Sequence, residues 1–232
     1  MKAVKPKKWK TPYLEDIHVK WPASVYSLRK FETIMKLSPT GRERVIDVGC
    51  GLGYFLLTLA KYNNEVIGLD REVILGEVKE NTSYADGKWK DEAKGKTLMQ
   101  LVREMIETEL GKENKVKLIE SDAKKIPLKD KSVDVAYMLD VMEHIKEKEL
   151  VLKEVKRILK DDGVFILSVP DTESMLMRKI ITRMHKIKEL EDHEHFKWKQ
   201  FTEELKKEFK IEMIKKYPTK LLSMSIIIKA RK

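Results

Sequence analysis

The apolar positions of the chain alternate between two periods, and their order predicts most of its elements. Val25, Leu28, Phe31, Ile34 and Met35 recur at helical spacing and put one apolar stripe on a helix over 23–37. Ser38-Pro39-Thr40-Gly41 stops it. Val45, Ile46 and Val48 make a short apolar strand, and Phe55, Leu56, Leu59 and Ala60 mark a helix over 54–62. Further strands are expected over 65–70, 115–122 and 132–140. Leu152, Val155, Ile158 and Leu159 face inward from a helix over 149–159. Asp161-Asp162-Gly163 then turns into a fifth strand over 164–169, broken by Pro170-Asp171. Phe201 opens another helix with Thr202 as its N-cap, and strands over 209–217 and 221–229 close the sheet. Strands alternating with helices, ending in a closing strand pair, predict an α/β fold.

Three stretches depart from that rhythm. Residues 1–22 carry three prolines and mixed polarity, so residues 1–40 divide into an arm and the first helix, ahead of a domain over 41–232. Trp9, Tyr13 and Trp21 are the arm's anchor candidates. The chain between Asp70 and Asp122 is far longer than the roughly 10–12 residues a crossover helix needs. An insertion at about 80–114 is therefore expected, with an amphipathic helix over 97–110 that packs on the parent domain. Residues 171–198 form a candidate lid or substrate segment. Met175, Leu176, Met177, Ile180, Ile181 and Met184 make it dense and soft there. Methionines adapt to irregular apolar ligands, and they also fill ordinary cores.

Composition narrows the function classes. No run approaches the roughly 18 apolar residues of a membrane span, and Met1 is followed by lysines and prolines rather than an apolar leader. The single cysteine, Cys50, excludes an intrachain disulfide and fits a reducing compartment, so a cytoplasmic protein is expected. The net charge of +10 leaves a nucleic-acid partner open. Much of the excess sits at the two ends, and the Lys/Glu-rich composition reads as a solvated, thermophile-like surface.

The chemistry concentrates between Asp47 and Gly53. Gly49, Gly51 and Gly53 allow a tight turn and a close backbone approach to a ligand. Helix amides beginning near Tyr54 suit an anionic group. A bare strand–turn–helix corner is the competing reading, but three glycines and an acid in one turn serve stability poorly. Asp70 ends the second strand, where a carboxylate can accept hydrogen bonds from both hydroxyls of a ribose. It could equally cap the next helix. Arg71 lies beside it.

The D-x-G-x-G-x-G spacing of residues 47–53 resembles motif I of the class I S-adenosylmethionine methyltransferases. The segment LDVMEHI, the helix–DDG–strand after it and the stretch HFKWKQFTEELKKEF are similar to the subgroup that includes quinone-biosynthesis-type (methyltransferase type 11) and many small-molecule methyltransferases. The resemblance covers roughly 40–232, less the insertion. It implies a Rossmann-like, doubly wound, seven-stranded, mostly parallel sheet with an antiparallel C-terminal strand and a helical insertion after the second strand. It implies S-adenosylmethionine as cofactor. Gly49, Cys50, Gly51, Gly53 and Tyr54 would lie against its methionine part, and Asp47 near its amino group. Asp70, with Arg71 alongside, would take the ribose, and Asp122 with Ala123 the adenine. Leu139 and Asp140 would stand near the transferring methyl.

Methyl transfer from a sulfonium needs alignment first and a base only if the acceptor must lose a proton. His144 and His195 are the candidates, with His193 nearby, because an unperturbed imidazole titrates near neutrality. Each could equally be a packing or surface residue. No metal site is expected, since Asp192, His193 and His195 offer no shared helix face and no third strong ligand. The expected function is methyl transfer to a small-molecule or lipid-like acceptor. The alternatives are an RNA or protein methyltransferase using the basic termini, or a non-catalytic protein that binds the cofactor. An N-P-P-Y type motif, which base-amine methyltransferases use, is absent after the fourth strand. Acceptor atom and oligomeric state are left open.

Overall fold

The computed structural model describes residues 23–39, 44–71, 95–174, 196–220 and 223–232. In chain order its elements are α1 (Ala23–Leu37), β1 (Arg44–Val48), α2 (Tyr54–Ala60), β2 (Glu65–Asp70), α3 (Leu98–Leu110), β3 (Val116–Glu120), β4 (Val133–Leu139), a single 3-10 turn (Met142–His144), α4 (Lys148–Ile158), β5 (Leu159–Pro170), α5 (Trp198–Lys206), β6 (Lys210–Tyr217) and β7 (Ser225–Arg231). The seven strands form one sheet in the order β3-β2-β1-β4-β5-β7-β6. β1 pairs in parallel with β2 and β4, placing Ile46 beside Ile67 and Ala136. β7 runs antiparallel between β5 and β6, so it alone opposes the other six. This is the doubly wound, mostly parallel sheet that the strand order implied.

Alternation along β1 decides what each face receives. Ile46 and Val48 join a core under α4 and α5, whereas Val45 joins a second core with α2, α3 and Ile34 of α1. Central strands buried on both faces are continuously apolar, as β4 is from Val133 to Met138 apart from Asp134. The stripe expected over 97–110 is α3. Thr97 caps it by accepting from the Gln100 amide at 3.2 Å, while the Gln100 side chain accepts from the Thr97 amide at 2.8 Å. Its Leu98, Leu101, Val102 and Met105 are buried against the sheet, so α3 is the cover of the β2–β3 crossover.

Three local expectations change. The second helix ends at Ala60 rather than at 62. Thr202 is not an N-cap: α5 begins at Trp198, and the Thr202 hydroxyl donates back to the Lys199 carbonyl at 2.6 Å. The apolar spacing of Trp198, Phe201 and Leu205, all buried, seats the helix one turn early. The Asp161-Asp162-Gly163 segment lies inside β5 as an irregularity, because pairing steps from Val133–Leu159 to Val135–Val164.

The chain runs β1, β2, β3 outward and then returns to β4 on the other side of β1. That reversal makes a crevice outside the carboxyl ends of β1 and β4, the position where open α/β sheets bind ligands. The arm's Trp9, Tyr13 and Trp21, the segment 175–195 with His193 and His195, and residues 80–94 lie outside the described residues.

Candidate functional site

Two loops meet at the crevice. After β1, Gly49, Gly51 and Gly53 all adopt positive φ, at 78°, 50° and 76°. After β4, Asp140 also has positive φ, 56°, and leads into the 3-10 turn. The loops touch: a Cβ on Gly49 would stand 2.5 Å from Val141 Cγ2. On the other side, a Cβ on Gly53 would stand 2.7 Å from Val102 Cγ1 of α3. The glycine turn is thus held between α3 and the segment after β4.

Backbone bonds fix the turn to β2. The Gly49 and Cys50 amides both donate to the Leu69 carbonyl, at 2.7 and 3.0 Å, and the Gly51 amide donates to Asp70 Oδ2 at 2.8 Å. These three amides are therefore engaged within the chain, and α2 offers the amides that follow. Asp70 Oδ1 accepts from the Arg71 amide at 2.8 Å. A carboxylate has about four acceptor sites, so each Asp70 oxygen keeps capacity for a hydroxyl. Burial raises its pKa, and the two amides pull the other way. The Arg71 side chain is exposed.

Asp47 is 2% exposed. Burial pushes its carboxyl up to about 8, and the charge of Asp70 adds to that. A buried acid, Asp47, and a half-buried one with free acceptor capacity, Asp70, suit a ligand that carries both a cation and a diol. S-adenosylmethionine has an ammonium and a sulfonium as well as its ribose, so these residues fit it. The Cys50 thiol is buried in the turn and raised well above its ordinary pKa, mainly by burial, which leaves no reactive thiolate. Tyr54, the first residue of α2, is half-buried, and burial raises its phenol.

Asp47 also sets a pH dependence of stability. Its folded pKa, about 8, exceeds the ordinary 3.8. Between those values the folded chain holds a proton that the unfolded chain has released, so stability falls as pH rises through that window. The slope for one such group is at most about 1.4 kcal/mol per pH unit. Urea midpoints at about pH 5.5 and pH 8 should therefore differ, and Asp47→Asn should narrow the gap. Equal gaps in both proteins would refute this account of Asp47.

The Ser121 amide donates to the Asp70 carbonyl at 2.8 Å and draws the end of β3 to that of β2. Asp122 follows there. It is exposed, and its Oδ1 accepts from the Lys124 amide at 2.8 Å in a local turn. Ala123 packs against the core beside it.

At the end of β4 a cluster stands that sequence reasoning did not find. Lys30 of α1, 3% exposed, forms an ion pair with Asp140. Ser168 of β5 donates to Asp140 Oδ1 at 3.0 Å, and Ser225 of β7 lies 3.4 Å from Lys30 Nζ. Tyr26 Oη and Ser225 Oγ are 2.7 Å apart. Leu139 packs into the core alongside. His144 is exposed, whereas its neighbour Glu143 is buried at 6% exposure. Burial, followed by the charge of Asp140, pushes Glu143 up to about 8, and the Lys30 and Lys148 cations oppose that only in part. The polar pair Glu143-His144 inside the otherwise apolar run from 141 to 145 was the available signal for Glu143. Nothing local marked Lys30, whose partners lie 110 and 195 residues away.

Among the described residues no group of three or more His, Cys, Asp or Glu side chains could hold a metal ion. Among them, too, no helix is long and apolar enough to cross a membrane.

A family model described as "Methyltransferase domain" matches residues 24–210. Among curated proteins, a sterol 4-C-methyltransferase of Caenorhabditis elegans is 25% identical over 135 residues, which is 57% of this chain and 32% of that protein. The chain thus spans about a third of the length of the curated relatives it matches. Among solved structures, a protein from Pyrococcus horikoshii OT3 aligns with a TM-score of 0.66 at 21% identity, covering 96% of this chain and 99% of that one. A SAM-dependent methyltransferase from Aquifex aeolicus aligns with a TM-score of 0.59 at 18% identity, covering 86% and 88%. At those identities the likeness speaks to the fold.

Proposed function

The chain belongs to the methyltransferase-domain family and uses S-adenosylmethionine, and from that premise we propose that it methylates a small-molecule or lipid-like acceptor held at the carboxyl ends of β4 and β5. One observation carries the reading. The left-handed glycine turn packs on Val141 through Gly49, with buried Asp47 at its start and Asp70 bonded to Gly51, at the point where the sheet order reverses. The sterol methyltransferase relative favours an apolar acceptor.

In this reading the cofactor supplies an electrophilic methyl on a positively charged sulfur. The residues of the chain do the rest. Asp47 pairs with the ammonium of the methionine part. Gly49, Gly51 and Gly53 keep Cβ atoms out of its path, and Cys50 and Tyr54 line it. Asp70 accepts the ribose hydroxyls, with Arg71 contributing its amide to hold Asp70 in place. Asp122 and Ala123 meet the adenine. Leu139 and Asp140 flank the methyl. Alignment of nucleophile, carbon and sulfur can lower the barrier by up to about 7–11 kcal/mol, so no covalent intermediate is called for.

Isothermal calorimetry with S-adenosylmethionine and S-adenosylhomocysteine tests the cofactor half. Both should bind. Affinity for either should rise with pH between about 6 and 8, because the ligand's ammonium favours ionised Asp47 and binding expels its proton. Labelled-methyl transfer into fractionated extract tests the acceptor half. Label should enter an organic-extractable small-molecule fraction. Label confined to RNA or to protein would overturn the proposed acceptor class.

A further inference from the structure

Beside the ends of β4 and β5, two buried carboxyls among the described residues have no hydrogen-bond partner for either oxygen, Glu143 and Asp171; Asp171 is paired with Lys216 Nζ at 2.9 Å, whereas Glu143 has no ion pair. Folded proteins pair buried polar groups, and leaving such a group unpaired costs stability. The charged groups facing it are already engaged. Lys30, from α1, is paired with Asp140 and lies near Ser225. Lys148, at the start of α4, donates to the Ile145 carbonyl and sits 5.7 Å from the Phe196 ring centroid. Asp140, from the end of β4, repels a second negative charge. Within the described residues Glu143 therefore has no cation to itself and no donor from another residue; only its own amide bears on the carboxylate. Asp140, whose charge acts on Glu143, has its side chain 47% exposed to solvent.

A ligand that completes this site must bring a hydrogen-bond donor and a positive charge together. An alcohol brings only the donor. A carboxylate or phosphate would meet Asp140 and Glu143 with like charge. An ammonium ion brings both. Val141, between Asp140 and Glu143, is the residue against which Gly49 packs, so the site adjoins the glycine turn.

We propose that Glu143 receives the acceptor as an ammonium ion and takes its proton, so that the acceptor atom is an amine nitrogen. This deepens the methyltransferase reading above and rests on it. Binding of R–NH3⁺ first drives the Glu143 proton into water and leaves a carboxylate paired with the cation. One N–H proton then moves to a Glu143 oxygen. The freed nitrogen lone pair forms the N–C bond to the methyl as the C–S bond breaks, and its electron pair stays on sulfur as a neutral thioether. The products are R–NH2⁺–CH3, S-adenosylhomocysteine and a protonated Glu143, its state before the amine bound, so the one proton released per turnover is the one expelled on binding. Lys30, Ser168 and Ser225 are positioning residues that hold Asp140 as the second wall of the site.

The test uses the full chain saturated with S-adenosylhomocysteine. 2-Phenylethylamine and hexylamine are compared with 2-phenylethanol and hexan-1-ol by calorimetry at about pH 7, in two buffers of different ionisation enthalpy. At least one amine should bind about tenfold or more tighter than its alcohol, consistent with a charge-assisted contact. Amine binding should also release close to one proton. Glu143→Gln should abolish both the preference and the release while keeping S-adenosylhomocysteine affinity, and Glu149→Gln on the exposed face of α4 should keep all three. Equal binding of amine and alcohol, no amine binding, or an intact preference in Glu143→Gln overturns the proposal alone. Failure to bind S-adenosylhomocysteine overturns the cofactor placement, and this proposal with it.

Discussion

Replacing Gly49 with alanine is expected to destabilise the chain by about 2–4 kcal/mol and to remove measurable cofactor binding. Two costs combine. At φ 78° an L side chain pays roughly 1–2 kcal/mol that glycine does not. The new Cβ would also stand 2.5 and 2.8 Å from the two methyls of Val141, closer than real contacts allow. Either Val141 or the turn must move. If the turn moves, the bonds from Gly49 and Cys50 to Leu69 loosen, and the surface offered to the cofactor is lost. The double variant Gly49→Ala/Val141→Ala separates the two costs, because it removes the contact and keeps the backbone strain. It should recover part of the stability lost in the single variant. Unfolding midpoints and calorimetry read both effects. A Gly49→Ala protein that melts and binds like the parent would show that the turn is not under this constraint.

Asp70→Ala should leave the fold largely intact and raise the dissociation constant for S-adenosylmethionine by about a hundredfold or more. Hydrogen bonds from a carboxylate to hydroxyls contribute about 1.5–3 kcal/mol each, and two are expected here. The Gly51 and Arg71 amides also lose their acceptor, so the turn is less well held before the ligand arrives. Asp70→Asn should fall between the two. Its carbonyl oxygen can keep one amide, but its NH2 faces the other donor. The same change removes the charge that helps raise Asp47, so Asp47 should titrate lower in Asp70→Asn than in the parent. Unchanged affinity in Asp70→Ala would place the ribose elsewhere.

The glycine turn was legible because its determinants are local. Asp47, Gly49, Gly51 and Gly53 fall within one turn, and their residue types alone demand a tight left-handed loop beside an acid. Asp70 could be located because it closes a strand whose apolar run is plain. The amphipathic stripe of α3 was legible for the same reason. The cluster at the end of β4 depends on contacts that no window of sequence contains. Lys30 reads as one more cation on a charged helix, and only the fold buries it beside Asp140. His144 drew attention through its chemistry, yet the turn at Met142–His144 points it outward and buries Glu143. Thr202 illustrates the competition between signals. A hydroxyl followed by acids marks a cap, but the aromatic spacing that begins at Trp198 outweighed it.

The pairing of Tyr26 and Lys30 with Ser225 bears on how the protein is made. These contacts join residues 199 and 195 positions apart, while the bonds between the glycine turn and β2 span about twenty. A chain leaving the ribosome N-terminus first can close the cofactor loop as soon as β2 has emerged. The contacts of Tyr26 and Lys30 with Ser225 must wait for the last strand to slide between β5 and β6. Nascent chains arrested before β7 should therefore lack the Tyr26–Ser225 and Lys30–Ser225 contacts, which gives each molecule a built-in order: the glycine turn closes early, and the cluster around Lys30 is completed last.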